Sequence, residues 1–199
     1  MAKILFSPIG GSDPIRNFRD GSMLHICRYY LPDKVILYLT GEMYQHHLQD
    51  NRYVYCLEEL SKKISHPFDI EIITRDELKE VQDYEYFYDD FRTCIGQITS
   101  QMNSEDELFL NVSSGTPAMK NALIILATLA EFSFKPIQVS TPLKRSNYMD
   151  ENVRKYEVEE QWLLDEDNEE NADVTSRCEE VKSLNLIKLL KTNILEKHL

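Results

Sequence analysis

The sequence predicts an α/β protein built on a doubly wound, mainly parallel sheet with helices on both faces. Short apolar runs alternate along the chain with longer stretches of helical periodicity. The apolar runs are nearly continuous, which is typical of strands that are covered on both faces. Glycine or proline lies at the ends of several of these segments, for example at Pro8, Pro32, Gly41 and Pro67.

The first part of the chain contains three predicted strands and two predicted helices. The strands cover residues 3–9, 34–39 and 69–74, and the helices cover residues 21–31 and 41 to about 64. Pro32 and Pro67 follow the two helices, where proline cannot continue a helical backbone.

The second part begins with an amphipathic helix. Its apolar side chains recur every three or four residues, at Phe87, Phe91, Ile95, Ile98 and Met102. A buried strand at 108–112, a helix that starts at Pro117 and is apolar on nearly every side, a strand at 135–141 and a sixth strand at 154–159 follow. The segments after these predict a folded domain over 1–164, a solvated acidic linker over 165–173, and an amphipathic helix over 174–199 that leads out of the domain.

The acidic charge of the chain is concentrated in one segment. Of the net charge of −12, residues 150–173 carry −9, with 11 acidic and 2 basic side chains, which leaves only −3 on the rest. Electrostatic coating of DNA or RNA is therefore disfavoured, whereas a small nucleotide held by backbone amides and a few arginines is compatible. No apolar run approaches the roughly 20 residues of a membrane span. Four dispersed cysteines and an N-terminus that resembles a strand rather than a signal peptide predict a cytoplasmic protein.

Two polar, glycine-containing loops follow the first and the fourth predicted strands, at residues 10–21 and 113–117. In doubly wound sheets these strands are commonly neighbours, and ligands bind beyond their carboxyl ends. Thr116 and Pro117 resemble a helix N-cap and a first-turn proline, so free N–H groups and hydroxyls gather at one helix terminus. That second loop alone could be an ordinary strand-to-helix turn, but two such loops together favour a nucleotide or phosphate site.

Several well-known kinds of binding and catalytic site are excluded because their sequence motifs are absent. The chain has no G-x-G-x-x-G motif after the first strand, no P-loop, no G-x-S-x-G elbow and no H-E-x-x-H motif. The adjacent His46 and His47 would not share one face of a helix, so no metal site is predicted. No cofactor is predicted either.

The candidate ligand-binding residues lie in the two loops or beside them. They are Gly10, Gly11, Ser12, Asp13, Arg16, Arg19, Asp20, Thr40, Asn111, Ser113, Ser114, Gly115, Thr116, Pro117 and Lys120. The arginines could clamp phosphates as forks, or pair with the neighbouring aspartates. Asn111 could read a base or ribose edge, or tie down the turn that follows it, and Lys120 could reach the ligand or point to solvent. Asp13 precedes Pro14, so it could contact the ligand or serve only to stabilise a turn.

Four motifs together resemble a known family. They are ILFSPIG at 4–10, SDP at 12–14, RDGSMLHI at 19–26 and NVSSGTP at 111–117. This combination resembles the N-terminal sensor of the Csm group of type III CRISPR ancillary ribonucleases, the CRISPR-associated Rossmann fold (CARF) domain. The resemblance covers about residues 3–160 and implies a Rossmann-like fold and a homodimer that binds cyclic oligoadenylate. It points to a six-membered ring, with a four-membered ring as the other option, and to no DNA or membrane partner.

The resemblance also implies a C-terminal HEPN ribonuclease under the control of the sensor. Only residues 174–199 follow the acidic linker, so a HEPN active site is not expected in this chain. Some sensors of the family also cut their activator, with the substrate's own ribose 2′-OH as nucleophile. For that reaction the catalytic candidates are Thr116, Ser114 and Asp13, which would orient the ring and stabilise developing charge. Gly11 departs from the family, which often has asparagine or another polar residue there.

Two other functions stay open at this point. A regulator of the CARF type could act on a partner protein or on DNA through its C-terminal helix. Alternatively, the domain could be a scaffold whose loops bind nothing.

Overall fold

The computed structural model describes residues 1–78, 80–129, 131–141 and 176–181. The described strands are β1 Lys3–Pro8, β2 Ile15–Arg16, β3 Arg19–Asp20, β4 Lys34–Thr40, β5 Asp69–Arg75, β6 Glu107–Asn111, β7 Lys135–Val139 and β8 Cys178–Glu180. The described helices are α1 Ser22–Tyr30, α2 Gly41–Asp50, α3 Arg52–Ile64, α4 Tyr84–Gln101 and α5 Pro117–Leu129. None of these helices combines the length and the apolar character that crossing a membrane requires.

Six of the strands form one sheet in the order β5-β4-β1-β6-β7-β8. All neighbouring pairs are parallel except β7 and β8, which run antiparallel. The chain winds from β1 outward through β4 to β5, then returns to the other side of β1 with β6 and β7. The predicted fold class is therefore confirmed, and so is the prediction that the first and fourth long strands are neighbours.

Each face of the sheet carries its own apolar core because successive strand residues point to opposite faces. Leu5 belongs to the core beneath α1 and α3, whereas the next residue, Phe6, belongs to the core beneath α4 and α5. Burial on both faces explains why the strands read as continuous apolar runs. The predicted stripe of α4 also lies in this second core, with Phe87 and Phe91 fully buried.

The predicted single helix over 41–64 is wrong, because it is two helices. Asn51 separates α2 from α3 and has a left-handed backbone, with φ of 54°. Asparagine tolerates this conformation better than most residues, since its short polar side chain can hydrogen-bond locally. The apolar pattern continues across the break, so periodicity alone does not reveal it.

The loop 10–21 contains a small hairpin that the sequence does not predict. Its strands β2 and β3 have two residues each, too few for any periodic signal, and they pair antiparallel. Asn17 and Phe18 connect them with positive φ values of 53° and 64°, as in a type I′ turn.

The predicted helix over 174–199 is also wrong at residues 176–181, which are extended. β8 joins the edge of the sheet, where the backbone N–H of Val181 donates to the carbonyl of Pro136 (3.0 Å). Helical periodicity starts only at Val181, so residues before it carried little evidence for a helix. The predicted strand at 154–159, the linker at 165–173 and the rest of the predicted helix lie outside the described residues.

Candidate functional site

The two predicted loops meet at the carboxyl ends of β1 and β6, through a contact between Gly10 and Gly115. A Cβ atom on Gly10 would lie 2.7 Å from the backbone nitrogen of Gly115. Gly115 itself has a φ of +86°, a region that favours glycine. The two backbones can approach this closely because Gly10 has no side chain, whereas a Cβ on Gly115 would lie 2.6 Å from the sulfur of Met119.

Beneath this contact, the Asp13 carboxylate holds three segments together. It accepts hydrogen bonds from the backbone N–H of Met23 (3.1 Å), from that of Gly10 (3.5 Å) and from the hydroxyls of Ser22 (3.4 Å) and Ser114. Only 6% of Asp13 is exposed. Burial raises the pKa of this carboxyl above its ordinary value, and the four hydrogen bonds partly offset the rise.

Asn111 extends the same network from the end of β6. Its amide nitrogen donates to the hydroxyls of Ser7 (2.9 Å) and Ser22 (3.0 Å), and its oxygen accepts from the backbone N–H of Ser113 (3.0 Å). Asn111 is fully buried, which supports its role in tying down the turn rather than in reading a base. We call Ser7, Asp13, Ser22, Asn111 and Ser114 the buried polar cluster.

The buried polar cluster contains two of the three catalytic candidates, Asp13 and Ser114. Ser114 is fully buried, and its hydroxyl is directed at Asp13. This placement favours support of the loops over direct contact with a ligand.

Ser113 and Thr116 lie nearer the surface and attach the second loop to its surroundings. The Ser113 hydroxyl accepts from the backbone N–H of Val139 at the end of β7 (2.7 Å). The Thr116 hydroxyl donates to the carbonyl of Val81 (2.8 Å), in the segment between β5 and α4. It also accepts a long hydrogen bond from the N–H of Met119 (3.4 Å), as a helix cap does.

The remaining candidates divide between the interior and the surface. Asp20 is 1% exposed, and its carboxylate binds the Arg28 guanidinium through two hydrogen bonds of 2.5 and 2.9 Å. Asp20 is therefore one partner of an interior ion pair, and its carboxylate is poorly placed to contact a ligand. Arg16 is exposed and Arg19 is half-buried, on the two strands of the hairpin. In the first turn of α5, Pro117 is exposed and Lys120 is half-buried.

Two clefts open beside the two loops, and the Gly10–Gly115 contact lines the first of them. The Thr40 cleft has a volume of about 130 Å³, and its lining includes Ile9, Gly10, Gly11, Thr40, Glu42, Met43, Val81, Gly115, Thr116 and Met119. The Arg177 cleft is smaller, about 40 Å³, and its lining includes Ser12, Arg16, Ser22, Ser113, Ser140 and Arg177. Within the described ranges, no three His, Cys, Asp or Glu side chains are grouped to hold a metal ion.

Arg177 is a part of the site that the sequence does not predict. Its guanidinium donates to the carbonyls of Ser140 (2.5 Å) and Asp20 (2.7 Å), and its backbone N–H donates to Nε2 of the buried His25 (2.8 Å). It thereby joins the hairpin, α1 and β7 at one edge of the cleft. It follows the acidic segment, so no local motif links it to the loops.

Glu42, Met43 and Val81 were also missed. Glu42 and Met43 follow β4, and Val81 belongs to the connection after β5. The rule that ligands gather at the carboxyl ends of parallel strands could have indicated them.

Comparisons with known proteins connect this geometry to a family. A family model described as the Csm6 CARF domain matches residues 69–178, more than half of the chain. The chain belongs to this family. The resemblance that the four sequence motifs indicate is thereby confirmed, and the matched residues include β6, β7 and the second loop.

Curated relatives of this CARF domain include two proteins named CRISPR system endoribonuclease Csm6. The protein from Enterococcus italicus is 34% identical over 196 residues, and the one from Mycobacterium tuberculosis is 34% identical over 190 residues. The alignments cover 96% and 94% of this chain but 44% of each relative. The chain thus spans less than half the length of these relatives.

A solved structure shows the same architecture. It is described as Enterococcus italicus Csm6 bound to cyclic hexa-2′-fluoro-hexa-dAMP, and it aligns with a TM-score of 0.76 at 30% sequence identity. The alignment covers 99% of this CARF domain and 45% of that chain.

Proposed function

We propose that this CARF domain is a homodimeric sensor of cyclic oligoadenylate, with the six-membered ring as its activator. Ring binding would control a HEPN ribonuclease in the part of the relatives that this chain does not span. The solved relative supports the ring size, because it is bound to a cyclic hexanucleotide. A twofold dimer also suits a ring with an even number of repeats.

The observation that carries the proposal is the meeting of the two loops at Gly10 and Gly115, beside two clefts. Next to this contact, a Cβ on Gly11 would meet no atom within 4 Å, so a ligand backbone can approach the protein backbone closely there. The Arg177 cleft is lined by the exposed Arg16, whose guanidinium suits a phosphate, and by Arg177, which already donates to the carbonyls of Ser140 and Asp20. The Thr40 cleft is mainly apolar, which suits bases.

Titration calorimetry with cyclic hexaadenylate, cyclic tetraadenylate and linear hexaadenylate tests binding. We expect the cyclic hexamer to bind most tightly, with one ring for two chains, and light scattering to give the mass of a dimer. No heat from any ring with folded protein would contradict the proposal. One ring for each chain would contradict only the shared, dimeric site.

Slow cleavage of the bound ring is a further part of this proposal. The attacking group would be a ribose 2′-OH of the ring, which forms a bond to the adjacent phosphorus as the 5′-oxygen leaves. The protein would contribute orientation, and no metal is required. Thr116 is the candidate best placed to contact the ring, because it lines the Thr40 cleft, while Ser114 and Asp13 would hold its loop from inside.

Thr116→Val tests the cleavage step, because it removes the hydroxyl at nearly constant volume. If the hydroxyl orients the ring, the cleavage rate falls by about tenfold or more while the dissociation constant changes much less. Chromatography of the products over time measures the rate. An unchanged rate would show that Thr116 serves only as a helix cap and as the partner of Val81.

A further inference from the structure

Arg177 joins parts of the molecule that are far apart in the chain. It immediately precedes β8, and its guanidinium donates to the carbonyl of Asp20 at the end of the hairpin (2.7 Å) and to that of Ser140 after β7 (2.5 Å). The carbonyl of Arg177 in turn accepts from the backbone N–H of Ser140 (3.0 Å). The position of β8 is therefore tied to the positions of the hairpin and of the end of β7.

A further hydrogen bond attaches the start of β8 to α1. His25 is fully buried in α1, and its Nε2 accepts from the backbone N–H of Arg177 (2.8 Å). Because a backbone N–H can only donate, this nitrogen of the imidazole must carry a lone pair. The bond is directional, so it fixes where residue 177 lies against α1 more narrowly than apolar packing would.

β8 itself has few other attachments. It has three residues and lies at the edge of the described sheet, where it pairs only with β7. Short strands at a sheet edge open more easily than central strands, because fewer hydrogen bonds and apolar contacts hold them. The docking of β8 therefore depends strongly on the hydrogen bonds of Arg177.

The hairpin that Arg177 holds also contains a cation suited to a ring phosphate. Arg16 in β2 is exposed and lines the Arg177 cleft, and its neighbour Ile15 pairs with Asp20, whose carbonyl accepts from Arg177. A phosphate bound to Arg16 would also be attracted by the Arg177 guanidinium, but only while β8 is docked and that charge lies at the cleft wall. A ligand that interacts more favourably with one state shifts the population towards that state.

We propose that Arg177 is a positioning residue that couples ring binding to the docking of β8. A ring phosphate at the Arg177 cleft holds the hairpin and Arg177 together, and the docked strand then fixes Val181, to which residues 182–199 are attached. This inference rests on the proposed function and adds a route from the ring site to the C-terminal part of the chain. Because coupling is reciprocal, loosening β8 weakens ring binding by the same factor.

Hydrogen–deuterium exchange at residues 177–181, with and without saturating cyclic hexaadenylate, tests the coupling. In the wild-type chain the ring should slow exchange there by about tenfold, which is a usual size for coupling between two sites. Arg177→Gln removes both the charge and the fork of donors. At a ring concentration that saturates this variant, slowing should fall below about twofold, and calorimetry should show about tenfold weaker binding.

Arg92→Gln is the matched control, since Arg92 on α4 is exposed, pairs with Glu131 and is not part of the cleft lining. It removes the same charge and should retain the wild-type affinity and the wild-type slowing. An arginine that only stabilises the fold would behave differently: its loss would speed exchange with and without the ring, and the slowing by the ring would persist.

Two results overturn the inference while the proposed function stands. One is a ring that binds the wild-type chain without slowing exchange at residues 177–181, a measurement that does not depend on the folding of any variant. The other is equal slowing in the wild-type chain and in Arg177→Gln. A failure of the ring to bind the wild-type chain overturns the proposed function and the inference together.

Discussion

The buried polar cluster and the Thr40 cleft lie on opposite sides of the same two loops, yet they use their polar groups differently. In the cluster, Asp13 and Asn111 use their side chains for hydrogen bonds within the protein. In the cleft, the Thr40 hydroxyl has no partner among the described residues, and Glu42 forms no ion pair there. The difference shows that residue type does not separate groups that hold a loop from groups left open at a cleft. Hydrogen-bond pairing separates them, because Thr40 is as deeply buried as Asp13.

The largest expected effect on stability comes from breaking the contact between Gly10 and Gly115, which both regions share. Gly10→Ala would place a methyl group 2.7 Å from the Gly115 backbone nitrogen, which cannot move as a flexible side chain does. We expect it to lower the free energy of unfolding by about 3 kcal/mol, near the top of the range for overpacking. Urea denaturation measures the change.

Gly11→Ala is its matched control, because a Cβ there meets no atom within 4 Å. Its effect should stay within about 0.5 kcal/mol. Equal losses in the two variants would contradict the close-contact explanation.

A substitution in the buried polar cluster should have a somewhat smaller effect on stability. Asp13→Ala leaves the groups that donate to this carboxylate, including Ser114 and the Met23 N–H, without their acceptor. The expected loss is about 2 kcal/mol. Glu42→Gln, in the cleft, should change stability by less than about 0.5 kcal/mol. If denaturation curves show a larger loss of stability for Glu42→Gln than for Asp13→Ala, the comparison between the two regions is wrong.

The pH dependence of stability sharpens the comparison, because burial raises the pKa of Asp13 above its ordinary 3.8. The folded protein then retains this proton at a higher pH than the unfolded chain. The contribution of Asp13 is fully present below about pH 3.8 and is lost as the pH rises through the folded pKa.

Asp13→Asn removes this titration. Measured by urea denaturation across the acidic range, its stability relative to the wild type should therefore improve as the pH rises. The change is about 1.4 kcal/mol for each unit between the folded and unfolded pKa values. A relative stability that is constant, or that worsens with rising pH, would mean that hydrogen bonding outweighs desolvation at Asp13.

The smallest expected effect is on ring binding, and it comes from a substitution at Gly11 on the open side of the loops. Gly11→Asn introduces a polar side chain into space that is open around the Cβ of residue 11. A new hydrogen bond to the ring should tighten binding by about fivefold, since one such bond contributes about 1 kcal/mol. Calorimetry with cyclic hexaadenylate checks this. Weaker binding would show that the ring backbone itself occupies the space.

Much of the fold could be predicted because its signals are local. The apolar runs of β1, β4 and β6 and the stripe of α4 depend on neighbouring residues, and the strand-end rule then located the two loops. The helix break at Asn51 cannot be predicted from periodicity, because the apolar pattern continues across it. The hairpin strands cannot be predicted either, because two residues are too few to form a periodic pattern.

The roles within the site could not be predicted because they depend on long-range contacts. Asp13 and Ser114 are 101 residues apart in the chain, and Arg177 lies 37 residues beyond its partner Ser140. Sequence patterns therefore identify suitable residue types, but they do not show that Asp13 and Ser114 are buried while Thr116 is half-buried. The same limit explains why Glu42, which is in no recognised motif, was overlooked.

Hydrogen–deuterium exchange with and without saturating cyclic hexaadenylate tests the central claim, that the ring binds over the contact between the two loops. Protection is expected in peptides that contain residues 9–13, 40–43 and 113–119, with little change in α3. Protection confined to other parts of the chain, or none at a ring concentration that saturates binding, would contradict it.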